Sequence, residues 1–161
     1  MKAAILTISD KGSRGERVDT SGPSLATWLR ERDVDVVHIT IVPDEETPIA
    51  QALAKLADED NVDLVLTTGG TGVSPRDVTP DATLRVVEKT LPGFGEAMRA
   101  AGRAKLAAAI ISRAVAGIRN RTLIINLPGS PAGAVESLSA VWPAIPHTIE
   151  KLQGDSKDCA V

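Results

Sequence analysis

Short β-rich runs alternate with helix-length segments along most of this chain, and that alternation limits the fold more than any other feature. Ala3 to Ser9 is apolar and β-rich, breaks into a polar loop through Lys11 to Gly15, and leads to Ser21-Gly22-Pro23 as a helix start. That helix is expected from about Ser24 to Arg32, with a second strand at Val34 to Val42 ending at Pro43. Thr47 then caps a helix that carries Pro48 in its first turn and Ile49, Ala52, Leu53 and Leu56 at helical spacing, ending near Asn61. Leu64 to Thr67 is the third strand.

Beyond Gly69 to Gly72, Thr79 caps a helix with Pro80 at its first position and Leu84, Val87 and Leu91 on one face, closed by Pro92 and Gly93. A helix follows over Phe94 to Ala107. Ser112 to Ile118 and Thr122 to Leu127 then read as an antiparallel hairpin turned at Arg119, Asn120 and Arg121. Pro131 opens a last helix that is interrupted near Pro143 and Pro146, resumes to Leu152 and stops at Gly154. Strand and helix in this order imply right-handed crossovers and a mainly parallel sheet covered on both faces, a three-layer Rossmann-like α/β sandwich.

Size and charge narrow the function classes. With 161 residues the chain fills one ordinary core, read as a domain over 1–154 with a tail at 155–161. No apolar run reaches the ~20 residues of a membrane helix. A net charge of −3 and only Trp28, Phe94 and Trp142 as aromatics argue against a nucleic-acid partner. The single cysteine, Cys159, excludes an internal disulfide or a thiolate metal site and fits a reducing cytoplasm.

In open parallel sheets ligands gather beyond the carboxyl ends of the strands. Four such ends carry Ser9-Asp10, Pro43-Asp44-Glu45, Thr67-Thr68-Gly69-Gly70-Thr71-Gly72 and Asn126-Leu127-Pro128-Gly129-Ser130. Glycines let backbone N–H groups approach a ligand, and the hydroxyls add donors suited to phosphate. The TTGGTG string alone also fits a tight strand-to-helix turn, and it matches neither a Walker loop nor a dinucleotide fingerprint. Its continuation, Val73-Ser74-Pro75-Arg76-Asp77-Val78-Thr79-Pro80-Asp81, places Asp77 before a helix start. There it is either a loop acid favoured by the helix dipole or a ligand to a hard cation, with Asp44 as the second carboxylate; Asp81 fits the dipole role better. Asp44 is likewise readable as a turn acid, but Asp44 and Asp77 follow strands expected to be neighbours. His38 and His147 lack acid partners at catalytic spacing, and Arg99, Arg103 and Lys105 read as a solvated helix face.

Taken in order, TTGGTGVSPRDVTPDAT, LPGFGEAMR, ISRAVAGIR and LIINLPGSP resemble the molybdopterin adenylyltransferase family, which includes a domain of gephyrin, over nearly the whole chain. The resemblance implies a molybdopterin-binding fold, usually trimeric, that uses ATP and Mg²⁺ to adenylylate molybdopterin before another enzyme inserts molybdate. It implies Asp44 and Asp77 at the metal and the reacting phosphates. Thr68, Gly69, Gly70, Thr71, Gly72, Pro128, Gly129 and Ser130 would line the substrate site, with Ser9 and Asp10 at its floor. Adenylyl transfer, pterin binding without catalysis and a trimeric scaffold are the three readings, and the carboxylates favour the first.

Overall fold

The computed structural model describes residues 1–155, so Cys159 and the tail beyond Asp155 lie outside the described residues. Six strands form one sheet in the order β2-β1-β3-β6-β5-β4. β1 (Lys2–Ile8), β2 (Asp35–Val42), β3 (Leu64–Thr68) and β6 (Thr122–Leu127) run parallel, while β5 (Ala116–Arg119) is antiparallel to β6 and to β4 (Lys89–Thr90). The expected hairpin is present, and Asn120 turns it at φ 52°.

The three central strands are apolar throughout because both of their faces are covered. Ile5, Leu64, Leu66, Leu123, Ile125 and Leu127 face α2 (Ser21–Arg30), α5 (Pro92–Arg103), α6 (Pro131–Val141) and α7 (Ile145–Leu152), and meet Leu25, Leu29, Met98, Leu138 and Ile149. The alternate residues Ala4, Leu6, Val65 and Ile124 face α3 (Glu46–Asp58) and α4 (Thr79–Val86), meeting Ile49, Leu53 and Ala82. Every side chain in this set is at most 5% exposed, and burying one Leu or Ile stabilises the fold by about 1.5–3 kcal/mol. Trp28 and Trp142 close the first layer edge to face, their centroids 5.2 Å apart.

Several local expectations are corrected. The loop after β1 contains a turn of helix, α1 (Asp10–Ser13), because the Ser9 hydroxyl accepts the Gly12 N–H at 3.0 Å. α2 begins at Ser21, three residues early, where Asp19 accepts the N–H groups of Ser21 and Gly22. Glu45, not Thr47, precedes α3. α4 ends at Val86, so Val87 and Leu91 are off it: Lys89 and Thr90 pair with Ile118 and Gly117 instead. Thr79 does not cap α4; Val78 holds that position, and the Thr79 hydroxyl donates to Gly69 O at 2.9 Å. α5 starts at Pro92 and stops at Arg103, followed by a 3-10 turn at Ala107–Ile111. Arg99 is only part-exposed, and it donates to the carbonyls of Ser112 and Ala114. The strand expected from Ser112 begins only at Ala116.

Candidate functional site

Parallel pairing aligns the carboxyl ends of β1, β3 and β6, with Thr7 beside Thr68 and Thr68 beside Leu127. The loops that leave those ends are bound to one another. Gly69 N–H donates to Leu127 O at 3.1 Å, the Thr68 hydroxyl to Pro128 O at 2.7 Å, and the Ser21 hydroxyl to Gly129 O at 2.7 Å. Gly69 and Gly70 hold φ values of 110° and 62°, which disfavour any side chain. A Cβ at Gly69 would strike Ile8 O, one at Gly70 the Thr79 hydroxyl, and one at Gly129 would lie 3.3 Å from the Gly69 Cα. These glycines therefore permit two loops and the end of β1 to close on each other. The N–H groups of Gly70, Thr71 and Gly72 meet no acceptor among the described residues and remain available to a ligand.

A buried polar chain supports the first loop from beneath. Asn126, fully buried in β6, donates to the hydroxyls of Thr67 and Thr83 at 3.0 and 2.9 Å. Thr83 in turn donates to Thr79 O, and Thr79 to Gly69 O.

These loops enclose a polar cleft of about 720 Å³ lined by Ser9, Asp44, Thr68, Gly69, Gly70, Gly129 and Ser130 among others. Its remaining wall, Arg17 to Ser21, was not anticipated from sequence. The signal was there in Asp19-x-Ser-Gly, an acid two residues ahead of a helix start, whose carboxylate accepts from Thr7 as well as from the first turn of α2. Thr71, Gly72 and Pro128 line a neighbouring, mostly apolar cavity of about 620 Å³ instead, and Ser130 borders both.

Asp44 and Asp77 do not follow adjacent strands, because β1 lies between β2 and β3. Each nevertheless stands against a glycine of the same loop. Asp44 Oδ1 lies 3.4 Å from where a Cβ at Gly70 would sit, and Asp77 Oδ2 lies 2.8 Å from one at Gly72. Asp77 is outside the cleft lining, with Oδ2 accepting the Ser74 N–H at 2.8 Å. Asp44 Oδ1 has no partner among the described residues, whereas Oδ2 accepts the Asp10 N–H at 2.7 Å. Burial pushes the Asp44 carboxyl above the usual aspartate range, and the charges of Asp10 and Asp77 add to that rise. A part-buried carboxylate with an open oxygen, crowded by like charge, fits a hard cation.

Two arginines missed as site residues organise these acids. Arg76 grips Asp10 through three contacts of 2.8–3.1 Å, which holds the Asp10 carboxyl below its ordinary value. Arg113 reaches from the segment before β5 to the carbonyls of Gly72 and Asp77 and to both oxygens of Asp81, while its N–H donates to Thr71 O. Asp81 is thereby an ion-pair partner as well as a first-turn acid.

Residues 4–147 match the family described as a probable molybdopterin binding domain. The chain is 46% identical over 153 residues to the molybdopterin adenylyltransferase of Helicobacter pylori strain J99, covering 94% of this chain and 87% of the relative. It is 39% identical over 168 residues to that of Escherichia coli K12, covering 96% and 86%. The structure of the molybdopterin biosynthesis enzyme MoaB from Thermus thermophilus superposes with a TM-score of 0.90 at 47% identity, over 96% of this chain and 97% of that one. The tungsten cofactor synthesizing protein MoaB from Pyrococcus furiosus gives 0.85 at 34% identity, over 94% and 96%. With the family match over residues 4–147, these identities and a superposition that covers nearly its whole length, the chain belongs to the molybdopterin-binding-domain family of cofactor biosynthesis proteins.

Proposed function

We propose that this protein transfers AMP from ATP to the phosphate of molybdopterin and releases pyrophosphate, as a molybdopterin adenylyltransferase of molybdenum cofactor biosynthesis. The observation that carries this reading is the placing of two carboxylates against two glycines of one loop beside a polar cleft, Asp44 at Gly70 and Asp77 at Gly72. The relatives named molybdopterin adenylyltransferase support the choice of reaction.

An oxygen of the molybdopterin phosphate attacks the α-phosphorus of ATP. The bond from that phosphorus to the bridging oxygen breaks, and its electron pair departs with pyrophosphate. Two anions must meet in line for this, so the chain's task is to hold them and to offset their charge. The open N–H groups of Gly70, Thr71 and Gly72 and the hydroxyl of Ser130 hold phosphate oxygens, Gly129 shapes the facing wall, Pro128 lines the neighbouring cavity that Ser130 also borders, and Arg17 is the one cation of the cleft lining. Asp44 and Asp77 would hold Mg²⁺, which when bound offsets the negative charge gathering on the departing phosphates. Two carboxylates completed by water and substrate phosphates is the ordinary Mg²⁺ pattern.

The same reading includes a homotrimer in the cytoplasm that hands adenylylated molybdopterin to a molybdate-insertion enzyme. Incubation of the purified protein with molybdopterin, ATP and Mg²⁺ tests the activity: adenylylated molybdopterin and pyrophosphate should form in equal amounts. Tight pterin binding with neither product would replace the enzyme by a binding protein. Light scattering tests the trimer, which a monomer at micromolar concentration would remove.

A further inference from the structure

Asp10 was expected at the floor of the substrate site, yet its carboxylate is already committed. Oδ1 accepts the Asp44 N–H at 3.0 Å and Arg76 Nη2 at 2.8 Å, and Oδ2 accepts Arg76 Nε and Nη2 at 3.1 and 2.8 Å. In return the Asp10 N–H donates to Asp44 Oδ2 at 2.7 Å. Asp10 and Asp44 thus exchange backbone-to-carboxylate bonds across a gap of 34 residues, and Arg76, the residue before Asp77, closes the third side.

The geometry points to Asp10 and Arg76 as a positioning pair that fixes Asp44 relative to the Asp77 loop, with the Asp10 carboxylate turned to the protein and not to substrate. This rests on the reading that Asp44 and Asp77 hold the divalent cation. Three features support it. A forked guanidinium on a carboxylate fixes direction as well as distance, which a point charge does not. The Asp10 bond leaves only one Asp44 oxygen, Oδ1, open toward Gly70. β1 intervenes between β2 and β3, so Asp10 just beyond its end reaches both acid-bearing loops, bonding to the Asp44 N–H and to Arg76.

The experiment compares wild-type protein with Asp10→Ala, Arg76→Ala, Arg76→Lys and the Asp10→Ala/Arg76→Ala double variant. Mn²⁺ uptake in the presence of ATP is read by electron paramagnetic resonance, exchange of the Asp44 amide by NMR, and molybdopterin affinity by titration. Each alanine variant should weaken Mn²⁺ binding by on the order of 10- to 100-fold, as loss of a residue that orients a metal ligand does. The double variant should be no worse than the poorer single one, because both remove one linkage. Arg76→Lys should recover only part of the loss. The Asp44 amide should exchange faster in Arg76→Ala although Arg76 does not touch it, and molybdopterin affinity should stay within about twofold.

Single losses that multiply in the double variant would overturn the pairing. So would a fall in molybdopterin affinity with Mn²⁺ uptake unchanged, which would return Asp10 to the substrate. Should wild-type protein take up no Mn²⁺ with ATP, or Asp44→Asn and Asp77→Asn leave uptake unchanged, the metal assignment fails and the role proposed for the pair fails with it. The linkage is judged separately by the Asp44 amide, and unchanged exchange in Arg76→Ala would sink it.

Discussion

Arg113 closes on Asp81 with two hydrogen bonds, 3.1 Å to Oδ1 and 2.7 Å to Oδ2, from a position 32 residues further along the chain. The pair is part-exposed, and as an isolated ion pair it would add little to stability. Its importance lies in what the same guanidinium also holds, the carbonyls of Gly72 and Asp77. Arg113→Lys keeps the charge and loses the fork, so it cannot serve all these acceptors at once. We expect its melting temperature to change little while single-turnover adenylyl transfer falls by about 10²-fold, the effect of displacing reacting groups by roughly 1 Å. Unchanged turnover would mean that the loop keeps its shape without this residue.

Gly72→Ala perturbs the same place from inside. Gly72 does not share the positive φ of Gly69 and Gly70, so alanine is tolerated by the backbone. The new Cβ would stand 2.8 Å from Asp77 Oδ2, an oxygen fixed by the Ser74 N–H. The carboxylate has to move. Turnover should therefore drop by about tenfold or more with cooperative unfolding preserved, whereas Gly70→Ala, strained at φ 62° and set against Thr79, should also melt earlier by roughly 2–4 °C for each kcal/mol of strain. Paired melts and single-turnover assays separate the two cases.

Asp77→Asn leaves an oxygen that can still accept from Ser74, so the loop survives and only the charge is removed. Turnover at saturating ATP and Mg²⁺ should fall by on the order of 10²-fold or more, and molybdopterin affinity should change little. Equal turnover by both proteins would reduce Asp77 to a loop acid near a helix start.

The ionisation of Asp44 sets function against stability. Burial raises its pKa in the folded protein above the ordinary value of 3.8, so the folded state holds that proton more firmly than the unfolded chain does. The stability Asp44 contributes is fully present below the unfolded pKa and is lost as pH rises through the folded one. At pH 7 the ionised carboxylate opposes folding. Asp44→Asn should then melt higher than wild type at neutral pH, by about 2–4 °C for each kcal/mol relieved, with the gain vanishing as pH falls below about 4. Calorimetry across that range checks it: a gain independent of pH would point to packing. The same variant should lose adenylyl transfer.

What could be read from the residues alone follows physical range. β1, β3 and β6 are apolar on both faces because they lie inside the sheet, and Gly69 and Gly70 hold positive φ where a Cβ would also clash, so both strands and loops announce themselves locally. α4 was overextended because Leu84, Val87 and Leu91 keep helical spacing, yet Leu84 is 48% exposed and Lys89-Thr90 is drawn into pairing with β5, a contact no local pattern contains. Arg113 as a site residue and the partners of Asp10 went unread for a related reason. Their partners Gly72 and Arg76 lie 41 and 66 residues away, and an arginine or aspartate in sequence does not show which loop the fold will bring to it. The supposed adjacency of β2 and β3 came from chain order, which the crossover of β2 to the far side of β1 does not respect.

The hydrogen-bond chain from Asn126 through Thr83 and Thr79 to Gly69 divides the two walls of the cleft by how freely each can yield. Opening the glycine wall means breaking buried bonds in the interior, so its excursions should cost nearly as much as global unfolding. The opposite wall around Arg17 and Val18 is solvent-facing, with Val18 83% exposed. Adjustment to an arriving ligand therefore falls to that side, and slow amide exchange at Gly69 alongside fast exchange at Val18 would be its signature: a rigid anvil facing a pliant jaw.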